Sequence, residues 1–263
     1  ASLGFTWRAT PELNVTLDGY FTHIKDRVVL SGQFDGSDPD LDAGLRNQMA
    51  LLHVSLAQFF ANAVNTTNGG ADLVIEYNKK IGNNRIKVLF AGNFQHMSID
   101  KINVPEKLSG SDFLRKTFFS DREEKFILAS APKTKDVLNL EYGIKKLTLG
   151  GRLTYFGKVT LLGYGQDGLG INPTVPLDNG SGDTPDKYDY NGKFVTDLYI
   201  SYPLSNKVTI FAGADNVTNV HPDFGVAKGA KGWAYNTETG GAWDAVQMGS
   251  NGRRLFLRLA FNF

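Results

Sequence analysis

The strongest pattern in this sequence is an alternation of apolar and polar residues that recurs from one end to the other. In residues 147–161, apolar side chains or glycine occupy the odd positions and mostly polar side chains the even ones. Because successive side chains of a strand point to opposite faces, a period of two predicts strands with one apolar face. We identify nine such segments, at residues 3–7, 15–21, 73–77, 86–94, 138–144, 147–161, 194–202, 208–214 and 255–263.

The lengths of the strands and of their connections favour a membrane barrel over a water-soluble sandwich, which would also alternate. A strand needs roughly 9–11 residues to cross a bilayer at a tilt. Aromatic residues stand near the ends of the apolar bands, as in interfacial girdles. Short turns near residues 10–13, 79–84, 145–146 and 203–206 alternate with long loops near 35–56, 105–124, 163–191 and 218–250. The sequence therefore predicts an all-β fold, a transmembrane antiparallel β-barrel whose long loops share one end.

Composition excludes several other classes of protein. The chain has 28 Lys and Arg against 27 Asp and Glu, so no basic surface indicates a nucleic-acid partner. It contains no cysteine, which excludes disulfides and thiolate sites. No run of eighteen apolar residues occurs, which rules out a transmembrane helix. No signal peptide occurs at the start either, so we expect a mature chain or a piece of a longer one.

Several motifs resemble those of one family. The final segment, Asn251–Phe263, alternates and ends in Phe261 and Phe263, which resembles the C-terminal signal strand read by the barrel assembly machinery. Thr209–Asn219, followed by His221 and a proline, resembles the penultimate strand of TonB-dependent outer-membrane receptors. Similar family segments occur at 14–31, 60–77 and 119–133. Taken together, these segments resemble TonB-dependent outer-membrane receptors, in particular those of Bacteroidetes.

The resemblance implies a place within a larger protein. Family barrels have 22 strands around a plugged lumen. Nothing here resembles a plug, and nine is an odd number of strands, so we expect residues 1–263 to be the C-terminal portion of a barrel, with the plug absent from them. The partners that the resemblance implies would be outer-membrane lipid, the remaining N-terminal barrel and plug, TonB through that plug, the assembly machinery and a surface lipoprotein.

The resemblance also implies a function. We expect an outer-membrane receptor segment for TonB-dependent uptake of a scarce nutrient, such as a siderophore, haem, cobalamin, glycan or peptide. The C-terminus would be periplasmic and the long loops extracellular. The segment alone would not transport, and we expect neither a cofactor nor an enzymatic activity. No G-x-S-x-G, H-E-x-x-H or phosphate-binding loop occurs. A passive pore and an outer-membrane β-barrel hydrolase remain the alternatives.

Two sets of residues are candidates for binding. The last long loop combines aromatic and polar side chains suited to stacking on a ligand, although they could equally form the loop's own hydrophobic kernel. Its candidates for substrate contact are Trp233, Tyr235, Trp243, His221 and Phe224. A second set is predicted to face the lumen and the plug: Arg152, Lys158, Asp197, Asp215, Arg254 and Arg258.

An acidic loop is a weaker candidate. Asp35, Asp38, Asp40 and Asp42 could supply oxygen ligands to Ca²⁺, but their spacing does not match an EF-hand, and we favour an ordinary turn-rich loop. The four histidines lack the spacing of a metal site. Leu45, Met49, Leu52 and Leu56 follow at helical spacing and predict a short helix that packs on neighbouring loops.

Overall fold

The chain is described by a computed structural model that covers residues 1–166, 168–233 and 247–261. Most of these residues are in strands. In chain order the strands are β1 (Ser2–Arg8), β2 (Leu13–Leu30), β3 (Phe34–Asp35), β4 (Leu56–Ala57), β5 (Phe60–Ile81), β6 (Asn84–Ile102), β7 (Thr134–Ile144), β8 (Leu147–Phe156), β9 (Val159–Leu162), β10 (Thr174–Pro176), β11 (Asp183–Pro185), β12 (Lys187–Tyr190), β13 (Lys193–Pro203), β14 (Val208–Asp215) and β15 (Arg254–Phe261).

The helices are short and lie between the long strands. They are α1 (Ala43–Leu51), α2 (Asp112–Phe118) and α3 (Asp121–Leu128), with two 3₁₀ turns at Glu106–Leu108 and Lys231–Trp233. Each α-helix begins at a side-chain cap: Asp42 accepts from the amide of Leu45, Ser111 from that of Leu114, and Ser120 from that of Glu123. None of the described helices is long and apolar enough to span a membrane.

Within the described residues, nine strands form one antiparallel sheet, which we call the wall. Its order is β1-β2-β5-β6-β7-β8-β13-β14-β15, so every strand pairs with its successor along the wall. The predicted nine-stranded, all-β architecture is therefore confirmed. The turns at 9–12, 82–83, 145–146 and 204–207 lie at one end of the wall, and the segments 31–59, 103–133, 157–192 and 216–253 connect strands at the other.

One predicted strand ends earlier than expected. Alternation continues from residue 147 to 161, but the wall strand β8 stops at Phe156. The amide of Gly157 donates to the carbonyl of Thr134 at 2.9 Å, and a Cβ on this glycine would lie 2.7 Å from that oxygen. After this close approach the chain leaves the wall, and β9 pairs with β12 in a separate small sheet. Lys158 thus lies beyond the last wall residue of β8, and its contact with the lumen or the plug stays a prediction.

The apolar residues of the wall form a band that runs diagonally across it. In β1 the band ends at Trp7. A row of directly paired residues across the intervening strands connects Trp7 to Leu153 of β8, so the two residues lie at the same height on the wall. In β15 the band begins further toward the short turns, at Leu255, which is level with Leu198, and it continues to Phe261. A diagonal band is the pattern expected when strands tilt relative to a membrane.

The long connections fold over the end of the wall into a structure that we call the loop cap. Its largest core is formed by the first two connections and by the ends of β2 and β5. Phe34 stacks on Phe59 with ring centroids 5.7 Å apart, and Phe59 packs on Phe118 at 6.0 Å. A second core joins Ala129 to the small β9–β12 sheet, where Leu161 and Tyr188 are fully buried. The cap therefore has hydrophobic cores of its own.

Candidate functional site: the inner wall and the loop cap

The two faces of the wall differ in chemistry. On one face, which we call the outer face, apolar side chains stand in the open: Leu255 is 76% exposed and Leu257 71%. Water-soluble monomers rarely expose continuous apolar patches of this extent. Other exposed apolar residues of this face include Leu3, Phe5, Trp7, Phe21, Phe94, Leu140, Tyr142, Phe194, Ile200 and Tyr202. The opposite face, the inner face, carries the charges.

A row of mostly polar residues crosses the inner face from edge to edge. Directly paired residues in adjacent strands share a face, and the row reads Arg8, Asn14, Glu76, Leu89, Asn139, Arg152 and Asp197. Asp215 pairs with Arg254 at the last strand pair, and Arg258 follows on the same face. The structure thus places these five predicted residues (Arg152, Asp197, Asp215, Arg254 and Arg258) on one polar face. Their contact with a plug stays a prediction.

The inner-face charges find partners on the wall itself. Nε of Arg254 donates to Oδ2 of Asp215 at 2.8 Å, and Nε of Arg152 donates to Oδ1 of Asn139 at 2.9 Å. Asp197 accepts the amide of Asn216 at 2.7 Å. The guanidinium of Arg258 lies 4.7 Å from the centre of the Phe211 ring. Charges in a confined lumen require such pairing, and these contacts provide it.

A cleft of about 450 Å³ opens on the inner face toward the short turns. Lys87 Nζ lies 3.6 Å from Glu141 Oε2, and the Tyr199 hydroxyl donates to Glu141 from the far side. Tyr199 reaches Glu141 across Gly150, which is paired with both of them. A Cβ at Gly150 would lie 2.0 Å from the Tyr199 ring, so this glycine lets the ring lie across the strand.

The loop cap is held together by contacts between connections that are distant in sequence. Arg122, 4% exposed in its side chain, lies 4.2 Å from the Phe126 ring centre and 3.9 Å from that of Tyr164. It pairs with Glu123, and its amide donates to the carbonyl of Gly170. The contacts tie α3 to the connection that follows β8. A buried charge of this kind needs its partners to remain stable.

Two aspartates tie the last connection to its neighbours. Asp178 accepts the amides of Lys231 and Gly232 at 2.9 and 3.0 Å, and these hydrogen bonds, that of Gly232 first, lower the pKa of Asp178. Asp223 binds the Lys193 ammonium at 2.5 Å and the Asn191 amide at 2.7 Å. Burial alone would raise the pKa of Asp223, but these hydrogen bonds outweigh it and hold that pKa below its ordinary value.

Gln247 makes a third link to the last connection. It is buried, and its side-chain amide donates to the carbonyls of Gly157, Tyr190 and Asn191. Sequence reasoning predicted no linking role for Gln247, Arg122 or the two aspartates, because nothing local distinguishes them from other polar loop residues. One signal was present: Ser120 followed three residues later by Glu123 is a capping-box pattern, and it marks the start of α3.

The residues predicted to contact substrate are in different surroundings. Trp233 is half-buried and packs on the small core of Val175, Ala227 and Ala230. Nδ1 of His221 lies 3.1 Å from the carbonyl oxygen of Ser250, and Phe224 is 57% exposed. The packing of Trp233 agrees with the structural alternative, a loop kernel. Tyr235, Trp243 and Phe263 lie outside the described residues, whereas Phe261 stands on the outer face.

The acidic loop uses its carboxylates locally. Asp35 accepts the amide and hydroxyl of Ser37, Asp38 accepts the amide of Asp40, and Asp42 caps α1. These are turn and cap contacts. In the part of the chain that the structure describes, no three His, Asp or Glu side chains lie close enough to hold a metal ion. The predicted helix is present as α1, with Met49 buried and Leu52 exposed.

An antiparallel wall with an apolar outer face and a polar inner face defines the wall of a membrane β-barrel. The family model "TonB dependent receptor-like, beta-barrel" matches residues 1–217. The chain therefore belongs to this family of TonB-dependent receptor barrels. No curated protein matches the sequence.

Solved structures show the same fold. The chain is similar to the outer membrane transporter YddB from Escherichia coli, with a TM-score of 0.56, 13% identity, and coverage of 100% of this chain and 32% of that one. It is similar to the FrpB iron transporter from Neisseria meningitidis, with a TM-score of 0.54, 15% identity, and coverage of 100% and 30%. For the pyoverdine outer membrane receptor FpvA from Pseudomonas aeruginosa the values are 0.51, 14%, 96% and 27%. The chain thus spans about a third or less of these proteins.

Proposed function

We propose that this chain is the C-terminal portion of the barrel of an outer-membrane receptor that takes up a scarce nutrient with energy delivered through TonB. The observation that carries the proposal is the open wall with an apolar outer and a charged inner face. Its two edge strands, β1 and β15, each carry exposed apolar residues, and an open sheet edge has no stable place in a bilayer. The remaining strands and the plug would come from the rest of the receptor.

The orientation follows from the same reasoning. The short turns would face the periplasm and the loop cap the exterior, with the C-terminus periplasmic, because long loops of bacterial barrels are extracellular. Substrate would then meet the loop cap first. The solved relatives named as transporters of iron and as a pyoverdine receptor support a metal chelate as the first substrate class to test. Glycans, peptides, haem and cobalamin are the alternative substrates, and they would be tested in the same uptake experiment.

The test is energised uptake by cells. The gene that encodes this chain would be deleted, and uptake of labelled ferric chelates, haem, cobalamin, glycans and peptides compared with that of cells carrying the intact gene. We expect loss of uptake of one substrate, and loss also in the parent cells when the proton gradient is collapsed. A flux that persists without the gradient would identify a passive pore instead.

The deletion strain also tests whether residues 1–263 can transport substrate by themselves. We propose that residues 1–263 are not transport-competent by themselves, because a wall of nine strands does not close a lumen and the energy-transducing plug lies elsewhere. Cells that express only these residues should take up no more substrate than the deletion strain. Uptake restored by residues 1–263 alone would overturn this part of the proposal.

A further inference from the structure

Lysine side chains collect where the ends of β7 and β8 adjoin the loop cap. A cleft of about 340 Å³ lies there, between α3, the residues that precede β7 and the start of β9, and it is lined by Lys125, Lys133 and Lys158. Its apolar lining includes Leu128 and Val159, and among the described residues that line it none is acidic. The cleft therefore combines ammonium groups with an apolar surface.

Two lysines of this region belong to the inner side of the wall. Thr134 pairs with Phe94 of the outer face, so the side chains before and after it, those of Lys133 and Lys135, point to the opposite side. The amide of Gln95 donates to the carbonyl of Lys133 at 2.8 Å, so the hydrogen-bonded ladder continues through this residue. Both lysines are exposed. They stand where the inner face of the wall meets the loop cap, which is the mouth of the lumen.

Nearby carboxylates do not neutralise these lysines. Lys158 Nζ lies 3.1 Å from Asp189, but the same carboxylate binds Lys187 at 3.3 Å, so one carboxylate serves two ammonium groups. Within the described part of the chain, three lysines have no carboxylate within ion-pair distance: Lys125, Lys133 and Lys135.

The row of directly paired residues through Lys135 keeps the two signs of charge apart on the inner face. On one side the row continues through Asn93 to Asp72, so the nearest carboxylate of the row is two strands, or about 10 Å, away. On the other side the second strand contributes Lys193, whose ammonium is bound to Asp223. Attraction over about 10 Å is largely screened in salt, so this region presents an excess of positive charge to the mouth of the lumen.

We propose that these lysines bind an anionic substrate, and that the receptor therefore takes up a polyanionic ligand, such as a metal chelate with carboxylate or catecholate groups, in preference to a neutral one. The proposal rests on the proposed function, because it needs the loop cap to face the exterior and the inner face to line the path of the substrate. A cleft lined by one sign of charge concentrates ligands of the opposite sign. Leu128 and Val159 offer the apolar body of such a ligand a surface to pack on.

The test compares ligand binding by two triple variants of the intact receptor. The lysine variant, Lys125→Gln, Lys133→Gln and Lys135→Gln, removes the three lysines that have no carboxylate partner, so it breaks no ion pair. The control, Lys79→Gln, Lys80→Gln and Lys207→Gln, removes the same charge at the end of the wall with the short turns. Calorimetry in detergent would measure binding of three anionic probes, a ferric tris-catecholate, ferric citrate and haem, and of two neutral ones, a ferric tris-hydroxamate and cobalamin.

We expect the parent and the control to bind an anionic probe alike, and the lysine variant to bind it at least about tenfold more weakly, because each exposed charge pair contributes a factor of about two to five. Added salt should weaken binding by the parent more than binding by the lysine variant, since salt screens the charges that the variant lacks. Lysines with a merely structural role would leave the salt dependence unchanged.

Three results would overturn the proposal: equal binding of the anionic probe by the lysine variant, no binding of any anionic probe, or tighter binding of a neutral probe by the parent. The proposed function fails in a different way. Energised uptake of a neutral substrate would refute the anionic substrate class and leave TonB-dependent transport standing. Lysine-dependent binding without energised uptake would leave the binding site standing and refute the transport.

Discussion

Arg254 and Asp215 face each other across the last strand pair of the wall, and Nε of the arginine donates to the carboxylate at 2.8 Å. The next residue, Leu255, stands on the opposite face and is 76% exposed. Two consecutive residues therefore differ completely: Arg254 forms an ion pair on the inner face, and Leu255 is exposed on the apolar outer face. The alternation is the basis of the assignment of one face to lipid and the other to the lumen, and it can be tested residue by residue.

The first prediction concerns a charge on the outer face. Leu257→Arg would place a guanidinium in the apolar band of β15, next to the exposed Leu255 and Leu259. Near the bilayer midplane such a charge costs about 2–4 kcal/mol. Urea unfolding of the receptor in lipid vesicles should show a loss of stability of this size.

The matched control is a substitution on the inner face of the same strand. Arg254→Leu removes one partner of the Asp215 ion pair, but the Arg254 side chain is 77% exposed, so the pair contributes only about 0–1 kcal/mol. This variant should unfold close to the parent. Equal stability of the two variants would contradict the assignment of the faces.

The second prediction concerns Gly150 and the aromatic ring that crosses it. Gly150→Ala would put a methyl group on the Tyr199 ring, which must then move and give up its hydrogen bond to Glu141. A hydrogen bond to a charged group contributes about 1.5–3 kcal/mol, while alanine in place of a strand glycine returns about 0.5–1 kcal/mol. We expect a net loss of about 1 kcal/mol in urea unfolding.

The same substitution in a Tyr199→Ala variant tests whether the Tyr199 ring causes the loss. When Tyr199 is already alanine, the added methyl group meets no ring, so Gly150→Ala should become neutral or stabilising. The reversal of sign between the two backgrounds is the expected result of a double-mutant cycle. The same destabilisation in both would show that the glycine is needed for a reason other than Tyr199.

The third prediction is a pH dependence within the loop cap. The pKa of Asp178 is lowered by the amides of Gly232 and Lys231, so its charged form is favoured in the folded cap. The stabilisation is therefore complete above the ordinary value near 3.8 and is lost as the pH falls through the lower, folded pKa. Exchange of the Lys231 and Gly232 amides, corrected for its intrinsic rate, should stay constant from neutral pH to about 4.5 and rise below 4.

Asp178→Asn is the control for this effect. The asparagine side chain keeps a carbonyl oxygen but does not titrate, so the two amides should exchange faster than in the parent at neutral pH and show no further acceleration below 4. A parent whose corrected exchange is constant down to pH 3 would contradict the role of Asp178.

The fourth prediction separates ligand contact from structure in the last connection. Trp233 packs on Val175, Ala227 and Ala230, so Trp233→Ala should loosen the connection and increase its cleavage by protease. A tryptophan that stacks on ligand typically behaves as a hot spot, and its truncation costs at least about 2 kcal/mol of affinity. Ligand binding and proteolysis should be measured on Trp233→Ala and Trp243→Ala, with folding checked by heat-modifiable gel mobility.

The pattern of the two effects decides the role of this connection. If Trp233→Ala raises proteolysis and Trp243→Ala weakens binding, the first residue is structural and the second contacts ligand. Unchanged binding by both folded variants would show that the substrate is contacted elsewhere in the receptor.

The wall could be predicted from the sequence, because burial of one face on lipid imposes a period of two on every strand. The alternation of Leu255 and Leu257 with Arg254 and Arg258 defines both faces of β15 without knowledge of any contact. The loop cap could not be predicted in this way. Its cores are formed by residues such as Phe34 and Phe118, which come from different connections and follow no shared period.

The early end of β8 has a physical cause as well. Alternation continues past Phe156 because β9 is also a strand, and only the approach of Gly157 to Thr134 shows that the chain has left the wall. Lys158 therefore lies beyond the wall strand in which its alternation predicts it. The aspartates of the acidic loop accept backbone amides within the loop, as the favoured interpretation of a turn-rich loop predicts.

The central claim is that the outer face of the wall meets lipid and the inner face meets water. The chain contains no cysteine, so single cysteines can be placed at each position from 254 to 259 and labelled with nitroxides in the reconstituted receptor. Collision rates with oxygen, which concentrates in lipid, and with a water-soluble nickel chelate should alternate with a period of two. We predict that labels at 255, 257 and 259 favour oxygen and labels at 254, 256 and 258 favour the chelate. Equal accessibility at all six positions, or the opposite phase, would contradict the claim.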